Sequence, residues 1–579
     1  MKFSWSLAPT QPLLAGRLAT SLKISPLLAQ CLLNRGLSEV PHIENFLAPR
    51  LKHLADPFLL PDMDKAVDRL FRAREQKETV VIFGDYDVDG VTSTTLLLQV
   101  LRSLGWRVEF YLPNRMEEGY GLSQDGMDHC LKKFPATLLL AVDCGSTAVE
   151  SIASARARGV DVIVLDHHQI SHPAPEAVAL VNPHAGVRAA AEGQAPASTE
   201  LCSAGLAFKL AHALVKRGRE KNLPGMAECD LKPLLDLVAL GTIADLVPLA
   251  GENRILASAG LRQLNQTQRP GIVALKKVAQ TQETIGVYEV GFQLGPRLNA
   301  SGRLETAEES LQLLLAENLE TALPLAERLD SRNRERQKIE KTIVREAVAT
   351  LRMKFDPANH FVIVEGQLLW HIGVVGIVAS RVLQEFYRPT IIIGGENGEM
   401  RGSGRSIAGF DLAAALRECN HLLVRHGGHA MAAGLSILPD KIDLLREKLN
   451  ELARRTLKPD DLKPSLRLDA EVGLDEMTFE SLGELEKLKP HGQSNPAVQF
   501  CARNLSHAKP LQRIGADKQH VKMRVTDGAA VHEAVWWNSG DKSLPVGKFD
   551  LAFAPQINTF NGSRTIQLKV LDWRPASPG

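Results

Sequence analysis

Three times between residues 79 and 168, a short apolar run leads into a turn that carries acids or histidines. Thr79–Phe83 leads into Gly84-Asp85-Tyr86-Asp87-Val88-Asp89-Gly90, Leu138–Val142 into Asp143-Cys144-Gly145, and Val162–Leu165 into Asp166-His167-His168. Val108–Leu112 is a further apolar run, and helix-like stretches such as Thr92–Leu104 and Thr147–Arg158 alternate with these runs. Unbroken apolar runs flanked by helices read as buried parallel strands of an α/β domain. Ligands of open α/β sheets bind beyond the carboxyl ends of the strands. All three turns are therefore expected on one functional edge.

Three carboxylates in one turn repel one another, and a divalent cation is the natural compensation, since hard cations prefer oxygen ligands. Asp85-x-Asp87-x-Asp89-Gly90 matches the opening of an EF-hand loop, which requires Glu at its twelfth position. That position is Leu96, and a strand rather than a helix precedes the motif, so the EF-hand is excluded. Mixed carboxylate and imidazole ligands suit Mn²⁺ or Mg²⁺ better than a thiolate zinc site. The seven cysteines include no C-x-x-C pair, which suits a reducing compartment. A further acid, Asp245, follows the apolar stretch Leu234–Leu240, and spacing alone does not bring it to the site. Several acids with one or two histidines can hold two ions about 4 Å apart, the geometry of two-metal phosphoryl hydrolysis.

The 579 residues suggest three or four domains. Residues 1–50 read as a lead-in of short helices and 51–265 as the first α/β domain. Residues 266–354 read as a connecting region with a long helix, in which Ala322, Ala326 and Leu329, then Ile339, Ile343 and Ala347, keep helical spacing. A second, smaller α/β unit spans 355–457, with strands at Phe361–Glu365 and Thr390–Gly394 around a helix at Val375–Phe386. After Pro459 and Pro464, residues 458–579 show short strands with Gly and Asn turns, the pattern of a small β-barrel. No apolar stretch of about 18 residues is present, so no membrane span is expected. The N-terminus lacks the shape of a signal peptide, and a cytoplasmic location is expected.

The formal net charge is only +1, from 68 basic and 67 acidic residues. Taken alone this disfavours a nucleic-acid protein, whose domains are often strongly basic. The distribution differs: from residue 500 onward eleven basic side chains face six acidic ones, with Trp536, Trp537, Phe553, Phe560 and Trp573 interleaved. Basic strands with aromatics fit an OB-fold groove that stacks bases, although any single one of these aromatics is better expected in the core.

Asp85-Tyr86-Asp87-Val88-Asp89-Gly90, Val142-Asp143-Cys144-Gly145, Asp166-His167-His168 and Asp245 resemble, in order, the four motifs of the DHH phosphoesterase family. Gly427-Gly428-His429 resembles the hallmark of its companion DHHA1 domain. Gly295-Pro296-Arg297-Leu298-Asn299-Ala300-Ser301-Gly302-Arg303 and His371-Ile372-Gly373-Val374-Val375-Gly376 are similar to segments of its bacterial single-strand-specific exonucleases. The resemblance covers nearly the whole chain. One departure is Phe83, where some relatives carry a His, so no metal contact is expected there.

The resemblance implies a multidomain α/β protein: a DHH parallel-sheet domain, a long connecting helix, a smaller DHHA1 α/β domain and a C-terminal OB-like β-barrel. It implies Asp85, Asp87, Asp143, His167 and Asp245 as metal ligands and, together with His168, as the catalytic set. Asp89 would support the first motif, either as an acceptor behind the ligands or by capping the helix from Thr92. Substrate contacts would come from Arg115, Arg297, Asn299, Arg303, Arg381, Arg405, Ser406, Gly427, Gly428 and His429. Arginine forks suit phosphate oxygens, and glycines let backbone N–H groups approach them. Arg115 is the candidate for a terminal-phosphate pocket.

The implied cofactors are two Mn²⁺ or Mg²⁺ ions. The implied partners are single-stranded DNA, single-stranded DNA-binding protein and a helicase, with the chain itself a monomer. The implied reaction is 5′→3′ hydrolysis of single-stranded DNA to 5′-mononucleotides, in repair and recombination. One rival is a phosphodiesterase for short oligonucleotides or cyclic dinucleotides, which needs no long strand-binding surface. The other is a non-catalytic replication scaffold, which needs no intact acid and histidine set.

Overall fold

Five parallel strands lie in the order Arg107–Tyr111, Thr79–Gly84, Leu138–Val142, Asp161–Leu165, Ala179–Val181. From Thr79–Gly84 the chain crosses to Arg107–Tyr111 on one side, then returns to Leu138–Val142 on the other. The order thus reverses between the strands that end at Asp85 and Asp143, and such a reversal opens a crevice at the carboxyl ends. Both faces of the sheet are covered, which is why its strands are apolar throughout. Val80, Ile82, Leu138, Leu140, Val142, Ile163 and Leu165 pack into the core formed with helices Met63–Glu75, Val88–Ser103 and Ser203–Glu220. Val81, Phe83, Leu139, Ala141, Val162 and Val164 face Met127, Ile152 and Ala155 from helices Gln124–Lys133 and Val149–Ala157.

The computed structural model describes residues 3–114, 118–119, 121–186, 198–304, 306–395, 398–540, 542–560 and 562–576. Its packing divides the chain into two units, the first comprising Pro9–Asn333 and Glu476–Val498. The boundary expected near residue 265 does not interrupt this unit. Ile272, Leu275, Leu298, Leu311 and Leu329 are buried in the same core as the sheet. Helical periodicity shows that a face is apolar but not which core that face joins. The long helix, Leu319–Lys354, holds Pro324 within its second turn.

The second unit comprises Met1–Ala8, Arg334–Asp475 and Gln499–Gly579. Its first sheet has the order Leu423–His429, Ala432–Ile437, Met400–Arg405, Thr390–Gly394, Ile363–Gly366, with only the last pair parallel. Its second sheet closes into a barrel: Phe500–Ile514, His520–Thr526, Val531–Trp536, Ser563–Pro575 and Phe549–Phe560 are neighbours in turn, and the last pairs back to the first. The N-terminal residues are not all lead-in. Ser4–Leu7 is a strand paired with Ser465–Leu468, and the Trp5 indole N–H donates to Asp572 at 2.9 Å. Among the described residues no helix is long and apolar enough to cross a membrane.

Residues 476–498, expected with the barrel, pack instead in the first unit, where a buried arginine is one of several anchors. Arg254 is 2% exposed and its guanidinium donates to the carbonyls of Phe46 (2.8 Å), Leu488 (3.0 Å) and Lys489 (2.9 Å) while stacking 3.6 Å from the Phe46 ring. Arg254 lies on helix Gly251–Gln266, which packs against Leu235–Ala244, the helix that ends at Asp245. Arg254→Met should leave these buried carbonyls without donors. The expected cost is on the order of 3 kcal/mol, read as a lower melting temperature and faster proteolysis within 476–498. Unchanged melting and proteolysis would contradict this role.

Candidate metal centre

The strand Thr79–Gly84 delivers Asp85 at its carboxyl end, where it is 2% exposed. Asp87 caps the helix that follows, its Oδ1 accepting from the N–H groups of Asp89 (2.8 Å) and Gly90 (3.1 Å). The capping role expected of Asp89 therefore belongs to Asp87. The Asp89 carboxylate instead accepts from the N–H groups of Ser203 (2.7 Å) and Ala204 (2.8 Å), at the start of helix Ser203–Glu220. Asp143 follows Leu138–Val142 with a left-handed backbone, φ 63°. Such a conformation costs a non-glycine residue energy and clusters at functional sites.

Asp166 orients its neighbours. Its Oδ1 accepts from His168 Nδ1 (2.7 Å) and from the His167 N–H (2.8 Å), and its Oδ2 accepts from the Ser146 N–H (3.0 Å). His167 Nε2 lies 3.4 Å from Asp143 Oδ1, 3.5 Å from Asp245 Oδ2 and 3.9 Å from Asp89 Oδ2. That nitrogen is buried and has no hydrogen-bond partner among the described residues. Candidate ligand atoms lie within 4.8 Å of one another in three overlapping sets: Asp143 with His167 and His168, Asp89 with His167 and Asp245, and Asp85 with Asp87 and Asp143. All six residues expected in the catalytic set come together, including Asp245, which spacing could not bring there. Asp89 joins them. A buried imidazole nitrogen without a partner, ringed by carboxylates, fits a divalent cation.

The electrostatics point the same way. Burial, then the charge of Asp87, raises the Asp89 carboxyl to about 7. Burial, then Asp89 and Asp87, raises Asp245 to about 8. Burial and the surrounding carboxylates push Asp143 well above its ordinary value. Burial and the neighbouring His168 lower His167 to about 4. Burial opposes a charge on His168, but the Asp166 hydrogen bond and charge prevail and raise it to about 9. A cavity of about 370 Å³ opens against Asp166 and His168, lined also by Cys144, Gly145 and Thr147.

The residues expected to touch substrate are distributed differently. Arg115 and the Arg303 side chain lie outside the described residues. Asn299 is half-buried, and its Oδ1 accepts from the Val88 N–H at 3.0 Å and so braces the first acidic motif. Arg297 is engaged by Asp330 (2.9 Å) and the Gln293 carbonyl (2.7 Å). In the second unit, Arg381 pairs with Glu340 at 3.3 Å yet stays exposed, and Arg405 donates to the Gly404 carbonyl at 2.8 Å. Ser406 is buried and donates to the Phe410 carbonyl at 2.7 Å, so it is not a surface contact. Gly427, Gly428 and His429 lie exposed on the edge strand Leu423–His429. Gly428 has φ 132°, and a Cβ there would meet the Ala432 carbonyl oxygen at 2.5 Å.

Among the barrel aromatics, Trp536 and Phe553 are core, Trp537 is 43% exposed, and Phe560 has no described side chain. Sequence reasoning missed Tyr288 and Phe292, exposed rings stacked 5.0 Å apart just before the Gly295–Leu304 helix. Aromatic residues four apart with no amphipathic partner were the available signal.

Family models agree with this layout: the DHH family, N-terminal domain, matches residues 79–242, the DHHA1 domain 359–455 and the RecJ OB domain 468–572. The single-stranded-DNA-specific exonuclease RecJ of Bacillus subtilis is 37% identical, covering 99% of this chain and 71% of its own length. The chain belongs to the RecJ family. Thermus thermophilus RecJ solved with Mn²⁺ matches it with a TM-score of 0.84 at 28% identity, covering 100% of this chain and 80% of that one. The same RecJ solved with Mg²⁺ gives 0.78 at 27%, covering 100% and 79%. The α/β architecture with DHH, DHHA1 and OB domains is the one expected from the motifs.

In this RecJ-family site the folded, metal-free chain binds more protons than the unfolded chain between pH 6.5 and 8. Asp89, Asp143, Asp245 and His168 all have raised values, while His167 is neutral in both states above its unfolded value of about 6.5. Stability therefore falls as pH rises through that window. The metal-free protein should melt at least about 3 °C lower at pH 8 than at pH 6.5. Mn²⁺ should raise the melting temperature more at pH 8, where protons compete less. A metal-free melting temperature that rises with pH would contradict this electrostatic account.

Proposed function

We propose that this chain hydrolyses single-stranded DNA from its 5′ end and releases 5′-mononucleotides, using Mn²⁺ or Mg²⁺, with two ions in the site. The observation that carries the reading is the convergence of Asp85, Asp87, Asp89, Asp143, Asp245, His167 and His168 at the sheet's switch point in a RecJ-family chain. Asp85, Asp87, Asp143, His167 and Asp245 would hold the metal, with Asp89 beside them. A bound divalent cation supplies a water of lowered pKa and neutralises charge on the scissile phosphate.

The chain's own groups do the rest. Asp166 holds His168 in one orientation and favours its cationic form. A cationic His168 donates a hydrogen bond to a phosphate oxygen and can pass its proton to the leaving 3′-oxygen. The oxygen of water bonds to phosphorus as the P–O3′ bond breaks; the scissile phosphate stays on the shortened strand as its new 5′-phosphate, and the terminal nucleotide leaves with its own. The cavity beside His168 is large enough for part of that nucleotide.

The barrel supplies strand binding. Lys509, Arg513, Lys518 and Arg524 are exposed on it, and Trp537 offers a ring for base stacking. The exposed Tyr288–Phe292 pair is a second stacking surface in the first unit. An enzyme restricted to unpaired strands works with a helicase that exposes them and with single-stranded DNA-binding protein that coats them, in a cytoplasmic repair and recombination setting.

A long 5′-labelled single strand with Mn²⁺ should yield labelled mononucleotide as the first labelled product. Asp87→Ala should lower the rate by more than about 100-fold. Cleavage of dinucleotides alone would favour a small-substrate phosphodiesterase, and no cleavage of any strand would favour a scaffold.

A further inference from the structure

We infer that Ser203 is a positioning residue for the metal centre, fixing Asp143 through its side chain and Asp89 through its main chain. Ser203 is fully buried and opens the 18-residue helix Ser203–Glu220. The first N–H groups of a helix have no partner within it. The residue before this helix, Cys202, makes no side-chain capping bond. A carboxylate from another element takes that place: the Ser203 N–H donates to Asp89 Oδ2 at 2.7 Å and the Ala204 N–H to Asp89 Oδ1 at 2.8 Å. Both Asp89 oxygens are thereby set in direction.

The Ser203 hydroxyl donates to Asp143 Oδ1 at 2.9 Å, the oxygen that lies 3.4 Å from His167 Nε2. It thus restrains the carboxylate rotation of a residue whose backbone is already left-handed. A third element is referenced to the same joint. A Cβ at Gly241 would lie 2.5 Å from Ala204 Cβ and 2.7 Å from Asp89 Oδ1, so only glycine lets the Leu235–Ala244 helix pack there. That helix ends at Asp245. Asp89, Asp143 and Asp245, from three separate elements, are aligned against one helix end. Groups behind a metal's ligands fix the orientation of those ligands, and losing one lowers metal affinity about 10–100-fold.

This inference rests on the metal-centre reading above, and the two can fail separately. Mn²⁺ binding to the full-length, metal-free protein is measured by the electron paramagnetic resonance signal of free Mn²⁺. Ser203→Ala and Ser203→Gly both keep the main-chain N–H groups and lose the hydroxyl, alanine keeping the Cβ and glycine losing it as well. Both should weaken Mn²⁺ binding about tenfold, and Ser203→Thr, which keeps the hydroxyl, should bind more tightly than either. The half-saturating Mn²⁺ concentration for strand cleavage should rise by the same factor, with kcat at saturating Mn²⁺ within about twofold of wild type. A purely structural defect would lower the melting temperature without changing the Mn²⁺ affinity of the folded fraction. Wild-type Mn²⁺ affinity in both Ser203→Ala and Ser203→Gly overturns the positioning role. Absence of Mn²⁺ binding by the wild-type chain overturns the metal-centre reading itself.

Discussion

Mutual repulsion among carboxylates governs the centre of this molecule. Asp89, Asp143 and Asp245 converge around His167 Nε2, and Asp85 and Asp87 join the cluster through Asp143. Two like charges about 4 Å apart cost roughly 4 kcal/mol at an effective dielectric of 20. The groups respond by holding protons, as the raised values of Asp89, Asp143 and Asp245 show, or by accepting a cation. The fold must keep them together against that force. It does so with parallel strands buried on both faces, helix starts at Val88 and Ser203 that donate N–H groups, and the Arg254 anchor behind the helix that carries Asp245.

The same physics explains why net charge is a poor guide to this protein. A sum of +1 hides a segregation of tasks. Acids gather where positive charge must be held, and exposed basic side chains gather on the barrel, where a phosphate backbone can be followed. Nearly equal totals are the outcome of two opposite local requirements in one chain.

Much of the architecture was legible from local pattern. Leu138–Val142, Thr390–Gly394 and Val375–Phe386 have the limits that apolar runs and helical spacing suggested, and the acidic turns stand at strand ends. The unreadable parts all depend on long-range contacts. Asp89 sits in the first turn of its own helix, where local rules suggest capping, but its partner is a helix start 114 positions away. Asn299 is implied as a substrate contact by the family resemblance, and no local pattern points to its bond with Val88, 211 positions away. The helices after residue 265 join the first core, and residues 476–498 return to it, because burial is decided by what lies opposite an apolar face. Ser203 carries no motif at all. Only the joining of three elements reveals it.

The central claim is that the carboxylate and histidine cluster exists to hold divalent cations. Anomalous diffraction at the manganese edge, from crystals of the full chain grown with Mn²⁺, tests it most directly. The account predicts density between Asp143, His167 and Asp245, and a second peak beside Asp85 and Asp87. Crystals with ordered side chains but no anomalous peak within this cluster would contradict it.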